Sequence, residues 1–334
     1  MKNKLFLLVT ILVMSTLLFA CSSTTQNSSD NGSESEGKKS DFPTKPITLV
    51  VPWAAGGGSD ILARSLAEAA QPTLGNIVIQ NREGANGTIA TTEVASKKGD
   101  GYTLVLNASG NFTAQPYLRE INYTLEDFKG VMGLTYEPIV LAVSADSPWE
   151  TIDDLLAEAD KGTSINFGHS GSGSFPHLAQ AELYKQAGIE ASDVPYEGAN
   201  PALMALLGGH IDSIAGHPSE LINHEKDGKI RILGIFSPER YHLLEDVPTM
   251  KEKGLDIDMS VWKYLLAPSD TPDEIISVLE EGFKKATEAE EFQEFLSNNN
   301  QDPLFISGKE VTDRLAKEAE ANKAVIEGLN ITLE

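Results

Sequence analysis

The sequence predicts an α/β protein. Three observations carry that reading. β-Branched runs alternate with stretches of helical spacing, the loops between them are rich in glycine, serine and asparagine, and residues 42–334 are long enough for two domains of ordinary size. The first run, 47–52 (ITLVVP), is bounded by prolines and reads as a buried strand. The loop 54–58 follows. Ser59 or Asp60 then supplies an N-cap for a helix with Ile61, Leu62, Ser65, Leu66 and Ala69 at helical spacing. Residues 77–79 are the next strand, 81–87 are turn-rich, 88–96 read as a helix and 102–106 as a strand. Strand, helix, strand, helix, strand is the signature of a parallel sheet.

The alternation continues through a strand at 138–143 and a helix at 151–160, where Thr151 and Asp154 resemble a capping box. A short strand at 165–167, helices at 177–186 and 201–207, and strands at 211–215, 231–236 and 262–267 come next. Long helices at 271–289 and 309–329 close the chain. No internal repeat of fixed period is present.

The amino end reads as an address. Lys2 and Lys4 precede an apolar run at 5–18, too short for a comfortable membrane span and suited to a signal peptide over 1–20. The run closes on Ala20-Cys21, and a cysteine at the first mature position resembles a bacterial lipoprotein signal. Cys21 is the only cysteine, so an internal disulfide and a cysteine metal site are both excluded, and thioether lipidation explains its place. Acyl chains there would anchor the protein durably, since each buried methylene adds roughly 0.8 kcal/mol. Residues 21–41 lack apolar periodicity and read as a flexible tether, spanning roughly 25 Å r.m.s.. Lys plus Arg total 26 against 49 Asp plus Glu, a net charge of −23 that becomes −25 once Lys2 and Lys4 are removed. Nucleic acid and anionic lipid surfaces are therefore excluded as partners. Solubility accounts for the acidity, which does not imply a cationic ligand.

Open α/β sheets take their ligands beyond the carboxyl ends of the strands. Three glycine-, serine- and asparagine-rich loops fall there: 53–59, 107–111 and 169–174. Small residues let backbone N–H groups approach a ligand, and a helix N-terminus adds about half a unit of positive charge. The loops thus describe an anion receptor that needs no lysine or arginine. The candidate contacts are Trp53, Ala54, Gly57, Gly58, Ser59, Asn107, Ser109, Ser170, Gly171, Gly173, Ser174, His177 and Asp212. Trp53 walls a cleft or packs in a core, and Asp212 is a cleft residue or a strand-end acid. No cofactor is called for. Gly56-Gly57-Gly58 is followed by Ser59 and Asp60 instead of the lysine of a P-loop, and it lacks the dinucleotide fingerprint. Gly168-His169-Ser170-Gly171 begins like a nucleophile elbow, but Ser172 stands where the second glycine belongs. The six histidines show no zinc-ligand spacing, so no metal site is expected.

Several stretches, in this order, resemble the substrate-binding proteins of tripartite tricarboxylate transporters, the Bug family. They are 46–60 (PITLVVPWAAGGGSD), 81–88 (NREGANGT), 100–104 (DGYTL), 169–177 (HSGSGSFPH), 194–198 (VPYEG), 206–212 (LLGGHID), 245–249 (EDVPT) and 262–268 (WKYLLAP). The resemblance covers essentially all of 42–334. It implies a two-lobed, type II periplasmic-binding-protein-like fold, with two doubly wound sheets joined by a two-segment hinge and no enzymatic activity. Lobe 1 would be 42–139 plus 263–334, and lobe 2 would be 140–262. It implies a small carboxylated solute (a di- or tricarboxylate, an acidic amino acid or an aromatic acid) held by amides and bridging waters of the loops 53–59 and 170–174. The far end of the solute would meet residues near 107–111, Gly198 and 212–217. Integral membrane transporter subunits are the implied partners. The chain itself is read as a monomer, lipid-anchored outside the cytoplasm, and that anchor differs from the soluble periplasmic form of the family. The chain departs from the family pattern at Gly216-His217-Pro218 and at Ala199-Asn200. Two rivals remain: a secreted serine hydrolase using Ser170 or Ser172, and a metal-capturing lipoprotein using His169, His177 and His217.

Overall fold

A computed structural model describes residues 41–329, 331 and 333. The signal peptide, Cys21 and all but the last residue of the tether lie outside the described residues. From the first described strand the chain runs β1 (Ile47–Val51), α1 (Gly58–Leu74), β2 (Ile77–Asn81), α2 (Thr88–Ala95) and β3 (Thr103–Ala108). Short helices α3 (Gly110–Thr113) and α4 (Gln115–Leu118) lead to the long strand β4 (Phe128–Pro138). Next come β5 (Val140–Ser144), α5 (Ile152–Leu156), β6 (Ile165–His169), α6 (Phe175–Ala187) and β7 (Ala191–Pro195). They are followed by α7 (Ala199–Leu207), β8 (Ser213–Gly216), α8 (Pro218–Lys226) and β9 (Ile230–Ile235). The chain ends with β10 (Ser260–Pro268), α9 (Asp273–Thr287), α10 (Glu290–Asn298), β11 (Asp302–Pro303) and α11 (Gly308–Gly328).

The strands form two sheets, ordered β11-β4-β10-β3-β1-β2 and β7-β6-β8-β5-β9. Both are mixed, and the first three strands pair in parallel as their alternation with helices predicts. β1 pairs in parallel with β2 and β3, and β6 with β7 and β8. The returning strands β10 and β4 run antiparallel in the first sheet, as β5 does against β8 and β9 in the second. Each sheet is covered on both faces. Leu49, Leu62, Leu66, Leu104, Leu279 and Phe283 pack one face of the first sheet, and Val50, Val105, Trp262, Tyr264 and Leu315 pack the other. In the second sheet, Leu203, Leu206, Ile214 and Ile232 fill one side, while Leu141, Phe167, Leu178 and Leu183 fill the opposite side.

The helices follow their sequence signals. Thr151 and Asp154 form the expected capping box of α5, and the Thr151 hydroxyl accepts the N–H of Asp154. Ser174 caps α6 by accepting from the N–H of His177. The chain passes between the sheets at Ile139, between β4 and β5, and again over 236–259. The passages are hydrogen-bonded side by side: Phe236 N–H to Ile139 O at 2.8 Å, Met259 N–H to Phe236 O at 2.7 Å, and Ile139 N–H to Met259 O at 3.3 Å. All three side chains are buried. The end of α11 leaves the first sheet and leans on α6, where Lys185 donates to Gly328 O at 2.9 Å.

Candidate functional site

The carboxyl ends of β1, β6 and β8 face a cavity of about 210 Å³ between the two sheets. That is less than the ~300–1,000 Å³ of sites for drug-sized ligands, so it suits a small metabolite. Among the described residues, four helices of nine or more residues open onto it: α1 at Gly58, α6 at Phe175, α7 at Ala199 and α8 beside His217. Each N-terminus leaves backbone N–H groups without intrahelical acceptors and carries about half a positive charge. Two of the four are already served by side chains. Ser174 caps α6, and Glu220 Oε2 accepts the His217 N–H at the start of α8 at 3.2 Å. The N-caps of α1 and α7, Gly57 and Gly198, have no side-chain cap. One uncapped end therefore comes from each sheet, and Asn200 joins them by donating to Gly56 O at 3.2 Å.

The loop before α1 is fixed from beneath by Asp60, correcting the expectation that Ser59 or Asp60 caps the helix. Asp60 turns back and accepts from the Gly56 N–H at 2.9 Å, from Arg64 Nε and Nη2 at 2.9 Å each, and from Asn81 Nδ2 at 3.0 Å. Asn81 also donates to Trp53 O at 2.9 Å. Burial alone would raise the Asp60 carboxyl, but these donors outweigh it and hold the group below the ordinary carboxylate range. Gly56 sits at φ +80°, in the left-handed region that a side chain disfavours.

The loop after β6 is fixed by histidines. The Gly171 N–H donates to His169 Nδ1 at 3.3 Å, and the Gly173 N–H to His177 Nδ1 at 2.9 Å. The rings stack with centroids 4.2 Å apart and are 0 % and 5 % exposed. Burial first, opposed by Asp193, pushes the His169 pKa down. Burial first, then the neighbouring His169, pushes His177 down to about 4, with Asp193 again opposing.

Of the sequence candidates, Trp53, Ala54, Gly57, Gly58, Ser59, Ser170, Ser174 and Gly198 line the cavity. Gly171 lines an adjoining hollow of about 270 Å³, which shares Trp53, Ala54, Asn86, Ser170 and Glu197 with it. Trp53 walls both spaces and also packs against the first sheet's core. Five candidates lie elsewhere. Asn107 is fully buried and donates to Thr91 Oγ1 at 2.9 Å, while Ser109 is buried beside Trp262, so this loop reaches the cavity through Ala108, Gly110 and Asn111 instead. Gly173 is tied down by His177 and by Gln115, which donates to its carbonyl at 2.7 Å. His177 faces inward onto His169, away from the cavity. Asp212 precedes β8 and accepts from the Asn166 N–H at 2.8 Å, at the amino ends of the strands and away from the cleft.

The sequence reading missed Asn86, Glu197, Glu220 and Lys263, all of which line the cavity. Asn86 stands in the left-handed region at φ 49°, inside the turn-rich 81–87 stretch, which was the available signal. Lys263 corrects the expectation of a receptor without basic side chains. Its charge is shared, however: Nζ sits 3.0 Å from Glu137 Oε2, both residues are buried, and Glu137 Oε1 accepts the Ser219 N–H at 3.2 Å. Burial would raise the Glu137 carboxyl, but Lys263 and His217 outweigh it and keep it below the ordinary range.

Two mixed α/β lobes with helix N-termini converging on the crevice between them define a solute-binding receptor of the periplasmic-binding-protein type. The chain belongs to the tripartite tricarboxylate transporter receptor family, because the family described as "Tripartite tricarboxylate transporter family receptor" matches residues 62–331. It is 32% identical over 293 residues to the "UPF0065 protein in gbd 5'region" of Cupriavidus necator, covering 87% of this chain and 89% of the relative. Among solved structures it is similar to the periplasmic binding protein BugD, with a TM-score of 0.82 and 28% identity over 88% of this chain and 100% of the other. It is also similar to MatC from Rhodopseudomonas palustris with bound malate, with a TM-score of 0.80 and 28% identity over 85% and 100% of the two chains. The family consists of substrate-binding receptors and not of enzymes.

Proposed function

We propose that the protein captures a small carboxylated solute outside the cytoplasm and delivers it to the membrane subunits of a tripartite tricarboxylate-type secondary transporter. The observation that carries this reading is the pair of uncapped helix N-termini, α1 from one lobe and α7 from the other, meeting at one cavity. A carboxylate between them would be held by amides of both lobes, and it favours the closed arrangement only through that differential contact. Malate bound by MatC is consistent with this class of solute. The other charged groups at the cavity are Glu197, Glu220, whose Oε2 accepts the His217 N–H, and a lysine already paired with Glu137. They favour a hydroxyl or ammonium donor at the solute's second end over another carboxylate.

Calorimetry against malate, succinate, adipate, glutamate, 4-aminobutyrate and benzoate tests the reading. Saturable binding of at least one at sub-millimolar affinity is expected, and binding of none overturns it. Cys21 as the lipidation site completes the proposal. Metabolic labelling with palmitate should mark the wild type and not Cys21→Ser, and equal labelling of both would remove the anchor from the reading. Among the described residues no helix is long and apolar enough to cross a membrane.

A further inference from the structure

Behind the 170–174 loop lies a cluster that direct solute contact does not use. His169 Nε2 is 3.2 Å from Asp193 Oδ2, and His177 Nε2 is 4.0 Å from the same oxygen. Each Nδ1 accepts a backbone N–H, from Gly171 and Gly173 respectively. A neutral imidazole has one N–H donor and one lone-pair acceptor, so a ring that accepts at Nδ1 carries its hydrogen on Nε2. Both rings are thus Nε2–H tautomers directed toward one carboxylate. The three side chains bring possible metal-ligand atoms within 4.8 Å of one another. A metal at Nε2 would require both lone pairs there and both hydrogens on Nδ1, opposite the two glycine N–H groups. The arrangement therefore disfavours metal and favours a backbone clamp. This disposes of the metal-capturing rival, since His217, its third residue, lines the cavity instead.

We propose that His169 and His177 are positioning residues of the solute site: as neutral imidazoles backed by Asp193 they hold the Gly171 and Gly173 amides, and so the loop from Ser170 to Ser174, in its solute-receiving shape, and proton uptake by either ring releases the loop and the solute. A protonated ring has hydrogens on both nitrogens, so Nδ1 can no longer accept and instead confronts the glycine N–H. The loop lies next to the cavity through Ser170 and Ser174. The groups around the pair come from each element packed on it. Asp193 on β7 faces both Nε2 atoms, each imidazole faces the other, and Phe167 on β6 packs 6.1–6.2 Å from both rings. Tyr184 on α6 packs on Phe167, and its hydroxyl is engaged with Ser213. Asp193 is 46% exposed at its side chain, so it supports the rings without creating a fully buried charge pair. The inference rests on the reading of 170–174 as a solute-binding loop.

Two measurements test it separately from that reading. Imidazole ¹⁵N–¹H correlation spectra of ligand-free protein should show Nε2–H on both rings at about pH 7.5. The Gly171 and Gly173 amide signals should move as the rings titrate. An Nδ1–H ring, or glycine amides that stay still through the ring titration, overturns the clamp even if carboxylates bind. The second measurement is malate affinity from about pH 7 to about 3.5 for wild type and His177→Asn, whose side-chain oxygen can accept from Gly173 without titrating. The wild type should lose up to about fourfold more affinity than the variant over that range, and malate's own titration is common to both. Equal losses overturn the proposal. Should malate bind neither protein, the malate reading fails and the spectra alone decide the clamp.

Discussion

The loops that follow β1 and β6 both present small residues to the cavity, and both must be held from behind, yet they are held by opposite chemistry. Behind the first is Asp60, a carboxylate that accepts from Arg64, Asn81 and Gly56. Behind the second are two stacked imidazoles that must stay uncharged to accept from Gly171 and Gly173. A charged acceptor tightens as pH rises above its pKa and then stays tight. A neutral imidazole acceptor weakens wherever protons are available. The two rims of one cleft therefore differ in their acid sensitivity, and that difference can be broken from either side.

The largest expected effect falls on the first rim. Asp60→Ala leaves the Gly56 N–H without its acceptor, takes one of two acceptors from Asn81 and removes the carboxylate partner of Arg64, and should lower unfolding stability by about 2–3 kcal/mol. Denaturant unfolding followed by circular dichroism measures it, and a loss under half a kilocalorie would remove Asp60 from its role. Acidification probes the second rim. The folded His177 sits at about 4 against an ordinary value of 6.5, so its contribution is complete above pH 6.5. It is lost as pH falls toward 4, because the unfolded chain takes up a proton that the folded chain refuses. Stability should fall by up to about 1.4 kcal/mol per pH unit inside that window for this residue alone. His177→Asn should flatten the slope in thermal melts across pH. Asp60, whose pKa is depressed, adds its own loss only below about pH 4.

A third prediction contrasts glycines. Gly173 is at φ +77°, and a Cβ there would lie 2.7–2.9 Å from Leu333, Leu118 and Gln115, so Gly173→Ala should cost about 1–2 kcal/mol. Gly57, whose φ is −79°, would place a Cβ no nearer than 3.4 Å to its neighbours. Gly57→Ala should therefore leave the melting midpoint within about 2 °C of wild type. The smallest effect belongs to Asn200→Ala, which removes one exposed bond between the lobes. Unfolding stability should stay unchanged and solute affinity should fall by about two- to fivefold, read by calorimetry.

Much of this architecture was legible in the chain because its signals are local. The run at 47–52 and the Thr151–Asp154 box each announce an element with a few adjacent residues, and the strand and the box are where they announce them. β4 was missed because Gly130 and Gly133 interrupt its apolar run, although both glycines serve close approach: a Cβ on Gly130 would lie 2.0 Å from the Gly308 carbonyl oxygen. α8 was missed because Pro218 opens a mostly polar sequence. In the site, the glycine loops were legible as loops, but which small residues turn outward was not. Asn107 and Ser109 are drawn into the lobe by Thr91 and Trp262, residues remote in sequence. The Lys263–Glu137 pair joins residues 126 positions apart, and the imidazole pair, one ring on β6 and one on α6, depends on Asp193 from β7.

The ladder of Ile139, Phe236 and Met259 has a topological corollary. Since the Ile139 N–H meets the Met259 carbonyl at 3.3 Å, the stretch 140–258 departs from and rejoins its host at one spot. The second sheet is in effect a graft, stitched into a chain that would otherwise pass from β4 directly to β10, its antiparallel neighbour. Exchanging that graft among relatives would need no added linker, and each transplant would bring its own half of the crevice to an unchanged host.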